Sequence, residues 1–140
     1  NPRYFRHFNR DMMLTALAGP ASNLLQAIAW AVVLKLVVML GISERFVISV
    51  CAAGISVNLM LMAFNLIPIP PLDGSSIIVP FLKGKALTNY YHLQQYAMPI
   101  LIIVLYLLPM WTGIDVIGRY FDVTVYPLAE WLLNFAIAGI

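Results

Sequence analysis

Charge is scarce in this chain. Of its 140 residues, 10% are Asp, Glu, Lys or Arg, against roughly a quarter in an ordinary soluble domain. Hydrophobic residues make up 62%, and the mean hydropathy is +0.89. A soluble core of this size needs no such composition, so the chain reads as an integral membrane protein. The net charge of +2 is too small to point to nucleic acid. Cysteine is nearly absent: the single Cys51 lies in an apolar stretch, can form no internal disulfide and says nothing about redox compartment. Histidine is also scarce. His7 and His92 each lack a neighbouring Glu and a second His four residues on, so the chain holds no H-E-x-x-H helix, and both read as interfacial histidines. A Gly-rich phosphate loop, a pair of carboxylates and a Ser/His/Asp set are missing too. The opening Asn1-Pro2-Arg3-Tyr4-Phe5-Arg6 carries neither an initiator Met nor a signal-peptide cleavage site, and is expected to be the cut end of something longer.

What is present is a series of apolar segments. The pattern predicts an all-α fold, a polytopic membrane protein with three to four transmembrane helices forming a single membrane domain over 1–140. Residues 1–11, with Arg3, Arg6 and Arg10 among aromatics, read as an interfacial segment. Spans are expected at about 12–40, 46–66 and 97–113, since a straight crossing needs about 20 residues. Gly19-Pro20 is expected to kink the first span or to start its main helix. Residues 83–95 are polar, and Asp115, Arg119 and Asp122 mark another polar break. The last apolar segment, 123–140, either crosses or lies in the interface. Lys and Arg gather at the first end and in the 83–96 loop, and the positive-inside rule places both in the cytoplasm.

One feature departs from spanning sequence. Asn65-Leu66-Ile67-Pro68-Ile69-Pro70-Pro71-Leu72-Asp73-Gly74 sets three prolines and a carboxylate within apolar surroundings. Proline removes backbone donors and pushes the preceding residue toward extended geometry. Lipid tolerates such backbone only where protein or a wet cavity covers it. Residues 67–82 are therefore expected to form a broken loop and a half-helix. An ionisable group there is a functional candidate, and Asp73 has three readings: N-cap of a short helix over 75–82, metal ligand, or ion site in a transporter. A second pattern is an internal echo. Ala18-Gly19 with Asn23-Leu24, and Ala53-Gly54 with Asn58-Leu59, both read Ala-Gly-x-x-x-Asn-Leu. Gly and Asn four apart share a helix face, and small residues with a cross-bonding amide suit close helix packing. Gly19, Asn23, Gly54 and Asn58 are thus candidate packing positions, with chance repetition as the alternative.

The run from Asn65 to Gly74, with Asn58 and Phe64 before it, resembles the second signature of the site-2 protease family, the intramembrane zinc metalloproteases. The first stretch agrees: Asn1 to Arg6, Arg10-Asp11-Met12, Ala16-Leu17-Ala18-Gly19-Pro20 and Asn23-Leu24-Leu25 resemble the segment after the catalytic helix in the small bacterial branch. Order and spacing fit from residue 1 to about 82, and the remainder matches in kind only. The resemblance implies that Asp73 is the third zinc ligand, beside two His of an H-E-x-x-H helix whose Glu is the general base. Three protein ligands leave the metal a fourth position for water, whose pKa it lowers toward neutrality. Asn65, Pro68, Pro70, Pro71 and Gly74 would support that site.

The departure is the missing first signature. The chain resembles the C-terminal portion of such an enzyme, supplies one Zn2+ ligand of three, no catalytic base, and alone is expected to be inactive. The implied partners are a transmembrane protein substrate and the lipid bilayer. The implied location is the bacterial cytoplasmic membrane, with the N-terminal end cytoplasmic and Asp73 toward that side. The alternatives are a non-catalytic pseudo-protease that binds transmembrane partners and, with less support, half of a transporter.

Overall fold

The computed structural model describes residues 8–138, and side chains from residue 11 to 138. Within that range the chain is helical, with no strand. Helix α1 runs Phe8–Met39, α2 Arg45–Asn65, α3 Asp73–Ile78, α4 Lys85–Gln95, α5 Ala97–Ile102, α6 Leu108–Thr112 and α7 Val116–Ile137. A 3-10 turn at Val79–Phe81 follows α3, and a π-helical stretch, Ile103–Leu107, joins α5 to α6. Most of the expected interfacial segment 1–11 lies outside the described residues, and its last four residues are the first turn of α1.

Two helices are long and apolar enough to cross a membrane: Asp11–Met39 and Arg45–Asn65. At 1.5 Å per residue the first is about 43 Å long, more than the roughly 30 Å of hydrocarbon. Pro20 neither breaks α1 nor starts it, although the helix runs without that residue's N–H. The first helix stops at Gly41, whose φ is 71°. Gly41 N–H donates to the Val38 carbonyl (3.0 Å) and Ile42 N–H to the Val37 carbonyl (3.1 Å). This is a Schellman cap, and it satisfies carbonyls that lipid could not.

The third expected span, 97–113, is helical to Thr112 but too short to qualify alone. It qualifies only together with Lys85–Gln95, from which it is bent by 76°. The π-helical stretch ends two residues before Pro109. Proline there lacks the N–H that would reach the Leu105 carbonyl, and its ring crowds that carbonyl, so the helix widens. The polar break expected over 114–122 is only a turn. Asp115 accepts the Gly118 N–H at 2.7 Å and caps α7, while Arg119 and Asp122 lie inside that helix. With Glu130 and Asn134 they are exposed. Val125, Ala129, Leu132 and Ala136 are buried on its other side. The last apolar segment is thus one face of an amphipathic helix that falls short as a crossing helix by composition.

The chain divides into two compact units. One holds the described residues up to Pro20 together with Phe64–Gly118; the other holds Ala21–Ala63 and the residues from Arg119 on. The second unit is a three-helix assembly with its own core. Ala27, Ala31 and Leu34 of α1 meet Cys51, Ile55, Leu59 and Ala63 of α2 and the buried face of α7. Alanine is the commonest residue in that core, which suits packing in lipid, where close backbone approach replaces the hydrophobic drive. The Tyr120 hydroxyl donates to the Ala63 carbonyl at 3.0 Å, tying the start of α7 to the end of α2.

Gly54 marks a close approach of α2 to α1 in this unit. A Cβ there would lie 2.5 Å from the Trp30 ring. Asn58 does not bond across the helices: its amide donates to the Gly54 carbonyl of its own helix at 2.8 Å. Gly54→Val is expected to destabilise the second unit by about 1–3 kcal/mol through overpacking. Thermal unfolding in detergent checks this, and an unchanged midpoint would show that Trp30 moves aside freely.

Candidate functional site

The break after α2 is built to satisfy its own backbone. Ile67 N–H donates to the Phe64 carbonyl (3.1 Å), Ile69 to Ile67 (2.8 Å), Leu72 to Ile69 (3.0 Å) and Ser75 to Leu72 (3.1 Å). Pro68, Pro70 and Pro71 bring no N–H at all, which shortens the list of donors that need partners. Pro70 is fully buried, and its bond to Pro71 is cis. Pro68 and Pro71 are exposed.

Asp73 is the first residue of α3 rather than its cap. The capping position belongs to Leu72, which is extended, and no side chain bonds the helix start. The N-cap reading of Asp73 therefore fails, because its carboxylate sits within the first turn instead of ahead of it. The helix also begins two residues earlier than 75. Gly74 is required: a Cβ there would meet the Leu66 carbonyl and come within 2.6 Å of the Ile67 oxygen. The start of α3 thus folds back against the turn that follows α2.

The carboxylate of Asp73 lies against α1. A Cβ on Gly19 would be 2.7 Å from Asp73 Oδ2. The side chain is half-buried and makes no hydrogen bond or ion pair among the described residues. Two residues on, Ser75 Oγ donates to the Leu72 carbonyl at 2.7 Å and accepts the Tyr90 hydroxyl at 3.1 Å. Ser75 is 3% exposed and Tyr90 8%, so this hydroxyl pair fastens α4 to α3 away from water.

The other candidates scatter. Asn65 ends α2 half-buried, with no hydrogen bond from its side chain among the described residues. Asn23 is half-buried on α1. The two Gly-Asn echoes have different surroundings: Gly54 faces the Trp30 ring, and Gly19 faces Asp73. His92 is exposed on the last turn of α4, and His7 lies outside the described residues. The sequence reading missed Tyr90, which sits in a polar segment and is the one buried residue of α4. It also missed the Gly19–Asp73 approach, for which a glycine ahead of an intrahelical proline is the only local signal.

No three His, Cys, Asp or Glu side chains among the described residues come together as a metal group. A zinc site needs at least three protein donors, and Asp73 offers one carboxylate. The described residues therefore do not make such a site by themselves.

Fold and site together define a helical membrane protein with a half-buried carboxylate, unpaired among the described residues, beside a proline-broken turn. The chain is 30% identical over 142 aligned residues to a Bacillus subtilis (strain 168) protein named Putative zinc metalloprotease YwhC. The match takes in 91% of this chain and spans 64% of that protein's length. No family model matches the chain. No solved structure matches it.

Tyr90→Phe should cost about 1 kcal/mol by removing the Ser75 partner. Gly74→Ala should cost more, because backbone rather than a side chain blocks the added methyl. Hydrogen exchange over residues 73–90 reads both, and faster exchange in neither variant would remove the fastening role assigned to these contacts.

Proposed function

We propose that this chain is part of an intramembrane zinc metalloprotease of the site-2 type, which hydrolyses peptide bonds of membrane proteins in or near the bilayer. The observation that carries the reading is the Asp73 carboxylate: half-buried, pressed against Gly19 and without a partner among the described residues. An ionisable group at such a break is costly, which makes it a functional candidate. The name of the Bacillus subtilis relative supports a protease-related role. In this reading Asp73 is one zinc ligand, and the remaining donors and the general base come from outside the described residues. Buried Pro70 and Gly74 hold the ligand's helix start against the preceding turn, and Asn65, Pro68 and Pro71 shape the break that leads to it. The substrate is a transmembrane protein, and the membrane is the bacterial cytoplasmic one. The N-terminal end of this chain and the 83–96 loop face the cytoplasm, as their Lys and Arg suggest.

The second reading is a non-catalytic protein of similar fold that binds transmembrane partners. This reading requires no metal, and among the described residues no three His, Cys, Asp or Glu side chains come together.

The test uses the full-length protein that contains this chain, expressed in membranes. Asp73→Ala and Asp73→Asn are expected to reduce zinc content to background and to abolish cleavage of a transmembrane reporter, with expression unchanged. Wild-type zinc content and cleavage in both variants would remove Asp73 from the metal site. A wild-type protein that holds no zinc would leave the binding protein as the answer.

A further inference from the structure

The second unit carries a groove that the protease reading does not use. It has a volume of about 170 Å³ and is lined by Ile28, Ala31 and Val32 of α1 and by Trp131, Leu132 and Phe135 of α7. The lining is wholly apolar. Ile28, Ala31 and Val32 follow helical spacing, and the next residue on that stripe is Lys35. Its ammonium stands 4.1 Å from the centroid of the Phe135 ring, so the groove's end wall and the cation share one side chain. The same ammonium donates to the Phe135 carbonyl at 3.3 Å. That bond caps the end of α7 but uses one of three donors, and no carboxylate pairs with Lys35 among the described residues.

Depth agrees with this layout. Lys35 lies one turn from the end of α1 at Met39, and Phe135 two residues from the end of α7 at Ile137. Helix α1 is longer than the hydrocarbon is thick, so its last turn reaches headgroup level. Trp131 is 63% exposed beside the groove, and tryptophan concentrates at that level. An apolar slot about 10 Å long on α1, ending in a cation at headgroup depth, has the polarity of one phospholipid.

We propose that this groove is a binding site for an anionic phospholipid, with an acyl chain between α1 and α7 and the headgroup phosphate on Lys35. A zwitterionic lipid brings its own ammonium, which competes with Lys35 for the phosphate. A diester with no such cation leaves the pair intact.

The test reconstitutes the full-length protein that contains this chain into phosphatidylcholine vesicles containing phosphatidylglycerol as a minor component. Brominated acyl chains are carried by the phosphatidylglycerol in one preparation, and by an equal fraction of the phosphatidylcholine in the other. Tryptophan quenching is read, and the same measurement on Trp131→Phe subtracts the contribution of every other tryptophan. Brominated phosphatidylglycerol is expected to occupy the site about fivefold more effectively, the scale of one Lys–anionic lipid contact. Lys35→Met and Val32→Phe should each bring the two lipids to parity, and Lys35→Arg should keep the preference. Equal quenching in the wild-type chain would mean bulk lipid only and would overturn the proposal, as would a preference that survives Lys35→Met. Loss of the preference on adding inorganic phosphate would show a phosphate site rather than a lipid site. Quenching that falls as the protein-to-lipid ratio rises would put a second copy of the chain in the groove. Either result would also overturn the proposal.

Discussion

The constraint on which the rest of this structure depends is the need to satisfy backbone polar groups where water is absent. Two long helices meet it by their own hydrogen bonds. Between Asn65 and Asp73 the chain leaves helical geometry, and each turn bond there answers a donor that lipid would leave bare. The prolines take part in the same solution. They prevent a helix, and they also carry no N–H to satisfy. The cap at Gly41 and the Asp115 bond to Gly118 solve the problem at helix ends.

Close approach is the second theme, and it follows from the first. Lipid tails compete with side chains for apolar contact, so helices in a membrane gain from fitting backbones together. Gly54 against Trp30 and the alanines of the three-helix core are that fit. Gly19 and Gly74 serve a different end. One lets a carboxylate lie against a helix, and the other lets a helix start fold onto the preceding turn. Together with the buried Ser75–Tyr90 pair they fix Asp73 from three directions: α1, the turn after α2, and α4. A single ionisable side chain on a helix start placed this way, unpaired among the described residues, suits a ligand contributed to a site shared with other residues. That is the role proposed for it.

The second unit has a different chemistry. Its α7 presents one apolar face to α1 and α2 and turns Arg119, Asp122, Glu130 and Asn134 outward. Lys35 is the one lysine on the two membrane-crossing helices, and it lies where α1 and α7 end together. Its long stem follows the apolar helix while its ammonium reaches the Phe135 carbonyl and ring. The apolar groove beside it is lined by Ile28, Ala31 and Val32 on one side and by Trp131, Leu132 and Phe135 on the other.

Composition was enough to establish a membrane protein, and the apolar runs of 20 or more residues made it all-α, because a barrel strand crosses in about ten residues of alternating polarity. The two long spans, the break and the short helix after it were legible in runs of apolar residues and in Pro68, Pro70 and Pro71. Asp73 stood out as the one carboxylate in that break. The tertiary structure decided what these residues touch. It placed Asp73 inside α3 and not ahead of it, because the Leu72 backbone is already extended. It set Gly19 beside Asp73 and Gly54 beside Trp30, although both glycines sit in the same local pattern. It also drew Tyr90 out of a polar segment into a buried bond, and carried α7 through Arg119 and Asp122, which read as a break. Local sequence sets which backbone conformations are affordable in lipid. Which side chain fills the space beside a glycine depends on elements tens of residues away, and only the packed chain brings them together.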